Sequence, residues 1–126
     1  MLAIVKHFEF EAAHRLPEHG GKCKYLHGHT YKLEVGVMGP VNPVTGMIAD
    51  FKQLKDLVSD LVLDRLDHSC LNELGTIPGF PANCPTAENM VLWVVNQLQP
   101  RLAITGCELS LVRLWETSGS WVEWRL

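Results

Sequence analysis

The chain has 126 residues, 47% of them apolar and 20% charged, with a formal charge of −3 when histidine is neutral. That length suits one domain, residues 1–126, built around one core, and the composition excludes a disordered chain. The mild negative charge excludes a protein held on nucleic acid by its bulk field, and no apolar run approaches the roughly 18–20 residues that span a bilayer.

Residues 3–13 alternate, with Ile4, Phe8, Phe10 and Ala12 on one parity and Val5, His7, Glu9 and Glu11 on the other, which predicts a strand. Residues 17–24 are polar, contain Gly20 and Gly21, and read as a loop. A second strand is predicted over 29–41, with Tyr31, Leu33, Val35 and Val37 on one parity. Pro40, Asn42, Pro43 and Gly46 then make a turn-rich connection. Asp50 is a good N-cap for an amphipathic helix carrying Phe51, Leu54, Leu57, Val58, Leu61 and Leu66. Residues 67–85 hold Gly75, Pro78, Gly79, Pro81 and Pro85 and read as a long loop. Thr86 caps a second helix with the stripe Met90, Val91, Val94, Leu98 and Leu102, and Pro100 marks its fraying end. A third strand is expected over 107–116, a turn at Thr117, Ser118 and Gly119, and a fourth strand over 120–126. The order ββααββ gives an α+β domain: a four-stranded antiparallel sheet with two helices on one face. The other face stays bare in a monomer. Trp115, Trp121 and Trp124 add apolar area near the end, so we expect a homo-oligomer, unless the last two pack on the chain's own helices.

The N-terminus turns charged at Lys6, too early for a secretory signal, so we expect a cytoplasmic protein with reduced thiols. Cys23, Cys70, Cys84 and Cys107 form no Cys-x-x-Cys pair, which argues against a disulfide framework and a thiolate zinc site. Cys70, Cys84 and Cys107 read as small buried hydrophobes.

Histidine carries the chemical signal. His27 and His29 flank Gly28 at the mouth of the second strand, on one face and about 7 Å apart at Cα. His14 ends the first strand and joins them if the two strands pair. Three neutral imidazoles with an open fourth position are the pattern of catalytic zinc. Cys23, between Lys22 and Lys24, is either a fourth ligand closing the site or a base or nucleophile beside an open one. Asp67 and His68 either end the first helix or form a proton-transfer pair. Glu116, at the end of the third strand on the parity of Val112 and Leu114, is either an exposed strand end or an acceptor for a planar N–H edge such as a pterin presents. Thr86 and Glu88 read as a cap and a helix-dipole charge.

Together Phe10-Glu11-Ala12-Ala13-His14-Arg15-Leu16, Cys23-x-x-x-His27-Gly28-His29, Gly46-Met47-Ile48-Ala49-Asp50-Phe51, Leu66-Asp67-His68-x-x-Leu71-Asn72, Pro85-Thr86-Ala87-Glu88-Asn89 and Glu116-Thr117 resemble the 6-pyruvoyl-tetrahydropterin synthase family over nearly the whole chain. The three-residue spacing from Cys23 to His27 resembles its bacterial 6-carboxy-5,6,7,8-tetrahydropterin synthases of queuosine biosynthesis. The resemblance implies a tunnelling fold, with three subunits closing a barrel, two trimers stacking into a hexamer and active sites at subunit interfaces. It implies Zn2+ on His14, His27 and His29, Cys23 as general base, Asp67 and His68 as a proton-transfer dyad, and Glu116 as pterin anchor. The implied substrate is 7,8-dihydroneopterin triphosphate, whose phosphates would meet Arg15, Lys22 and Lys24. A pyruvoyl-type synthase and a non-catalytic zinc-stabilised binding module are the competing readings.

Overall fold

The computed structural model describes residues 1–126. The chain runs β1 (Ala3–His14), a 3-10 turn (Lys22–Lys24), β2 (His27–Met38), α1 (Phe51–Val58), a π-helical segment (Ser59–Leu63), α2 (Asp64–Leu66), β3 (Ser69–Cys70), a second 3-10 turn (Leu71–Glu73), α3 (Ala87–Ile104), β4 (Glu108–Thr117) and β5 (Ser120–Arg125). The sheet order is β3-β1-β2-β4-β5.

This corrects the expected four-stranded antiparallel sheet. Four strands are antiparallel, but β3 adds a fifth strand and pairs parallel to β1, Ala12 opposite Ser69 and Ala13 opposite Cys70. Two residues carry no readable period, so β3 was invisible inside the long loop. β2 also begins two residues earlier than expected, at His27, and ends at Met38. Gly28 sits in regular pairing with Ala13.

One face of the sheet is the core face. Phe8, Phe10, Ala12 and His14 of β1 and Tyr31, Leu33, Val35 and Val37 of β2 are buried there. The helices close this face: Asp50 Oδ1 accepts from the Lys52 N–H (2.7 Å) to start α1, and Thr86 Oγ1 accepts from Asn89 N–H (3.2 Å) to start α3. The π-helical segment carries the first helical run on to Leu66, so Leu61, Val62 and Leu66 all reach the core. α3 continues past Pro100 to Ile104 rather than fraying there, and Gly106, at φ +79°, turns the chain into β4.

β4 carries two irregularities. Opposite Gly36 and Val37 the register slips by one, leaving Ser110 as the extra residue. Gly36 makes this possible: a Cβ there would lie 3.0 Å from both Leu111 Cβ and Ser110 Oγ. Against β5 a second slip falls between Trp115 and Thr117, so Glu116 is the bulged residue.

The other face is uncovered, as expected, but it is charged rather than broadly apolar. A ladder crosses four strands: His7 Nε2 to Glu34 (2.9 Å), Arg113 to Glu34 (3.1 Å) and Arg113 to Glu123 (2.8 Å), with Arg125 also on Glu123. Arg113 lies 5.4 Å from the Trp115 ring centre. Trp124 packs on the core, while Trp121 lies on the uncovered face, half exposed. No helix is long and apolar enough to cross a membrane.

Candidate metal centre and pterin site

His14 and His27 are directly paired across β1 and β2, and His29 faces Ala12 one step on. All three share the core-face parity, so strand pairing alone gathers their rings. Ring centres lie 4.7 Å apart for His14 and His27, 5.1 Å for His14 and His29, and 4.8 Å for His27 and His29. One nitrogen from each falls within 4.8 Å of the others.

The hydrogen bonds fix which nitrogen is free. His14 Nδ1–H donates to the Pro85 carbonyl (2.8 Å), and His27 Nδ1–H donates to the Tyr25 carbonyl (2.8 Å). A carbonyl only accepts, so Nδ1 carries a proton in both rings, which leaves Nε2 as the nitrogen that can ligate a metal. The Nε2 atoms of His14 and His29 are buried and have no hydrogen-bond partner. Burial pushes the His29 pKa below its ordinary value, and the two neighbouring imidazoles add to this against the opposing pull of Glu116. Three imidazole nitrogens that converge on one point, two of them buried without a partner, suit a divalent cation. The donor set fits zinc.

Tyr31 backs the cluster. It is fully buried, stacked on Phe10 at 4.9 Å, and its Oη lies 3.3 Å from His14 Nδ1, on the N–H already given to Pro85. Burial, and secondarily the charge of Glu116, push its pKa up, so the phenol stays neutral.

The structure places Glu116 beside this cluster. Its Oε2 lies 3.9 Å from His29 Nε2. The bulge sets Glu116 into a small cavity of about 170 Å³ with Ala87, Glu88, Ser120, Trp121 and Val122. Glu88, read from sequence as a helix-dipole charge, therefore shares a cavity with Glu116. Only the pairing of the α3 N-terminus with the β4–β5 turn reveals this, and no local sequence signal does.

Cys23 is half-buried in the 3-10 turn, and the ligand cluster takes in no cysteine. The loop is closed at its neck by the Leu16 N–H donating to the Cys23 carbonyl (2.8 Å). Of the other thiols only Cys107 is buried; Cys70 is half-buried and Cys84 exposed, which corrects the expectation that all three lie in the core. Arg15, Lys22 and Lys24 lie on or beside this loop, and none makes an ion pair with a carboxylate of the protein.

Asp67 and His68 do contact each other: Asp67 Oδ1 lies 2.9 Å from His68 Nδ1. Glu11 anchors both, its N–H donating to Asp67 Oδ1 (2.9 Å) and its carbonyl accepting from His68 N–H (2.6 Å). The Glu11 N–H bond, and next the His68 contact, hold the Asp67 carboxyl below its usual range. His68 adopts φ +60°, the one non-glycine residue with positive φ, a conformation that this pair of bonds must hold in place. His68 lines a cleft of about 360 Å³ with Glu11, Gly28, His29 and Thr30. Glu11, Gly28 and Thr30 lie on the parity opposite the three histidines, while Ala12 and His29 lie on the triad's own, so residues of both parities line the cleft. The absence of a side chain at Gly28 widens this cleft.

The geometry thus holds an imidazole triad, a carboxylate beside it and a carboxylate–imidazole pair at the next strand. Residues 3–126 match the family model described as 6-pyruvoyl tetrahydropterin synthase. The chain belongs to that family, which is one of enzymes. A 6-carboxy-5,6,7,8-tetrahydropterin synthase of Haemophilus influenzae is 33% identical, covering 99% of this chain and 99% of that one. A 6-pyruvoyl tetrahydrobiopterin synthase of Dictyostelium discoideum is 34% identical over 83% of this chain and 74% of that one. The solved structure of Caenorhabditis elegans 6-pyruvoyl tetrahydropterin synthase superposes with a TM-score of 0.84 at 28% identity, covering 99% of this chain and 95% of that one.

Proposed function

We propose that the protein converts 7,8-dihydroneopterin triphosphate and one water to 6-carboxy-5,6,7,8-tetrahydropterin, releasing triphosphate and acetaldehyde, in queuosine biosynthesis in the cytoplasm. The observation that carries the reading is the His14, His27 and His29 cluster, with the unpartnered Nε2 atoms of His14 and His29, beside the Glu116 carboxylate. Relatives of near full length named 6-carboxytetrahydropterin synthase support the choice of reaction.

Zn2+ on the three histidines would bind and acidify the hydroxyls of the substrate. The protein's own residues do the rest. Glu116 accepts from the N–H edge of the pterin and fixes the ring, so that proton transfers beside the ring stay short. Cys23, as thiolate, removes a C–H proton from the substrate. His68, oriented by Asp67, delivers and accepts protons on the other side. Arg15, Lys22 and Lys24, free of carboxylate partners, meet the triphosphate.

The dyad sits at the outer edge of β1 and shares its cleft with only one of the three histidines, His29, which supports sites completed between subunits. The strand edges support the same assembly. The outer edge of β1 over residues 3–10 and that of β5 are unpaired, at opposite sides of the sheet. Two open edges on one subunit invite edge-to-edge closure into a ring, and the charged ladder suits a solvated lumen rather than a packed face. We take the working form to be a homo-oligomeric barrel, trimeric or hexameric.

Incubation with 7,8-dihydroneopterin triphosphate tests the reaction. Acetaldehyde release with a 6-carboxy product is expected. A product retaining all three side-arm carbons would overturn it in favour of 6-pyruvoyl synthase activity, the second reading, which the Dictyostelium relative supports. The binding-module reading needs Cys23 as fourth ligand, and its place outside the cluster counts against that.

A further inference from the structure

β3 ends at Cys70, yet the contact with β1 runs on. In the following 3-10 turn, Asn72 accepts from the Arg15 N–H at Oδ1 (2.8 Å) and donates from Nδ2 to the Arg15 carbonyl (3.0 Å). A primary amide offers the same donor and acceptor as a peptide group. The Asn72 amide therefore stands in for the next strand residue and extends the parallel ladder past its backbone end. Satisfying both polar groups of one residue with one rigid amide fixes the peptide planes on either side of Arg15.

Three groups depend on that point. Arg15 follows His14 directly. It precedes Leu16, whose N–H closes the Cys23 loop by donating to the Cys23 carbonyl (2.8 Å). Asn72 itself lies four residues after His68, on the same segment that Glu11 and β3 tie to β1. One amide thus links the dyad segment, the strand end bearing His14 and the neck of the Cys23 loop.

We propose that Asn72 is a positioning residue: its two hydrogen bonds to Arg15 hold the Cys23 loop in register with the histidine cluster. This rests on the reading of Cys23 as the base, but the placement of Cys23 is measurable without turnover. The test uses the zinc-loaded full-length protein and follows alkylation by iodoacetamide at each cysteine by peptide mass spectrometry, with kcat, KM and zinc content beside it. Asn72→Ala loses both bonds; Asn72→Asp keeps the volume and the acceptor, loses the donor and sets a carboxylate oxygen against the Arg15 carbonyl. Should the alanine variant not fold, the aspartate variant carries the test.

The expected result is Cys23 alkylation faster by about fivefold or more, the exposed Cys84 unchanged, zinc content unchanged, and kcat lower by about tenfold or more, in line with the cost of small misplacement at a reacting group. The proposal is overturned if Cys23 alkylation and kcat both stay within twofold of wild type. It is also overturned if Cys84 accelerates in step with Cys23, which would mark general loosening. If the wild type shows no pterin synthase turnover while Cys23 alkylation still responds to Asn72, the functional reading fails and the positioning role stands.

Discussion

Replacing His14 by alanine separates the metal's contribution from that of the fold. The imidazole is fully buried and its Nδ1–H bond to the Pro85 carbonyl is 2.8 Å. Truncation strands a buried carbonyl and leaves a ring-sized void, together costing about 3–5 kcal/mol in the metal-free protein. Zinc at about 100 times its Kd should stabilise the wild type by about 2.7 kcal/mol, since only the folded state gathers the three nitrogens. For a protein of this size that corresponds to a Tm rise of about 10 °C. The variant should start lower and show no such rise. The assay is thermal unfolding by circular dichroism at fixed protein concentration, above pH 7, over a zinc titration. Burial keeps the His29 pKa below its ordinary 6.5, so at the assay pH this ligand nitrogen is not lost to protonation. A His14→Ala variant that kept the full zinc-dependent rise, or a wild type with none, would refute the assignment of the cluster.

Three further predictions address other parts of the molecule. Cys23→Ala should keep one zinc per subunit and the wild-type circular dichroism, but lose turnover by about 10²–10⁴-fold, the usual worth of a positioned base; normal turnover would remove Cys23 from that role. Glu116→Ala should weaken pterin binding by about 10–100-fold, the loss of charge-assisted hydrogen bonds, with zinc content unchanged; unaltered affinity by calorimetry would remove it from the site. Glu123 has its pKa lowered from 4.5 to about 2, first by Arg125 and then by Arg113. As pH falls, the unfolded protein takes up this proton first, so the stability from these bonds is whole above about pH 4.5 and is lost toward pH 2. Urea midpoints followed from pH 5 down to about 2.5 should therefore fall more steeply for wild type than for Glu123→Gln; parallel curves would show that the ladder contributes nothing to acid stability.

What was legible in the sequence follows from period and pairing. A strand alternates by rule, so His14, His27 and His29 had to share a face with Phe10 and Tyr31 once β1 and β2 paired as neighbours. Asp50 and Thr86 announced both helix starts because an N-cap is a local device. The missed features are those without a local period. β3 is two residues long, and its pairing is fixed by Asn72 and Glu11 rather than by its own side groups. Pro100 stops a helix only where packing does not hold it, and Leu98 and Leu102 on either side are buried in the core.

The bulge at Glu116 explains why the site is more than its ligands. In a regular strand, the residue after Trp115 would have a partner on β5, and its side chain would keep the plain alternation of the strand. The slip between Trp115 and Thr117 makes Glu116 the extra residue of β4, and its carboxylate lies 3.9 Å from His29 while the residue lines the cavity that reaches Glu88. A bulge costs a ladder bond and persists because the rest of the hairpin, through the Arg113 and Glu123 pair on the opposite face, keeps β4 and β5 in register. The charged ladder and the carboxylate beside the histidines are thus two faces of the same hairpin. A substitution that breaks the ladder should loosen Glu116 before it unfolds the sheet.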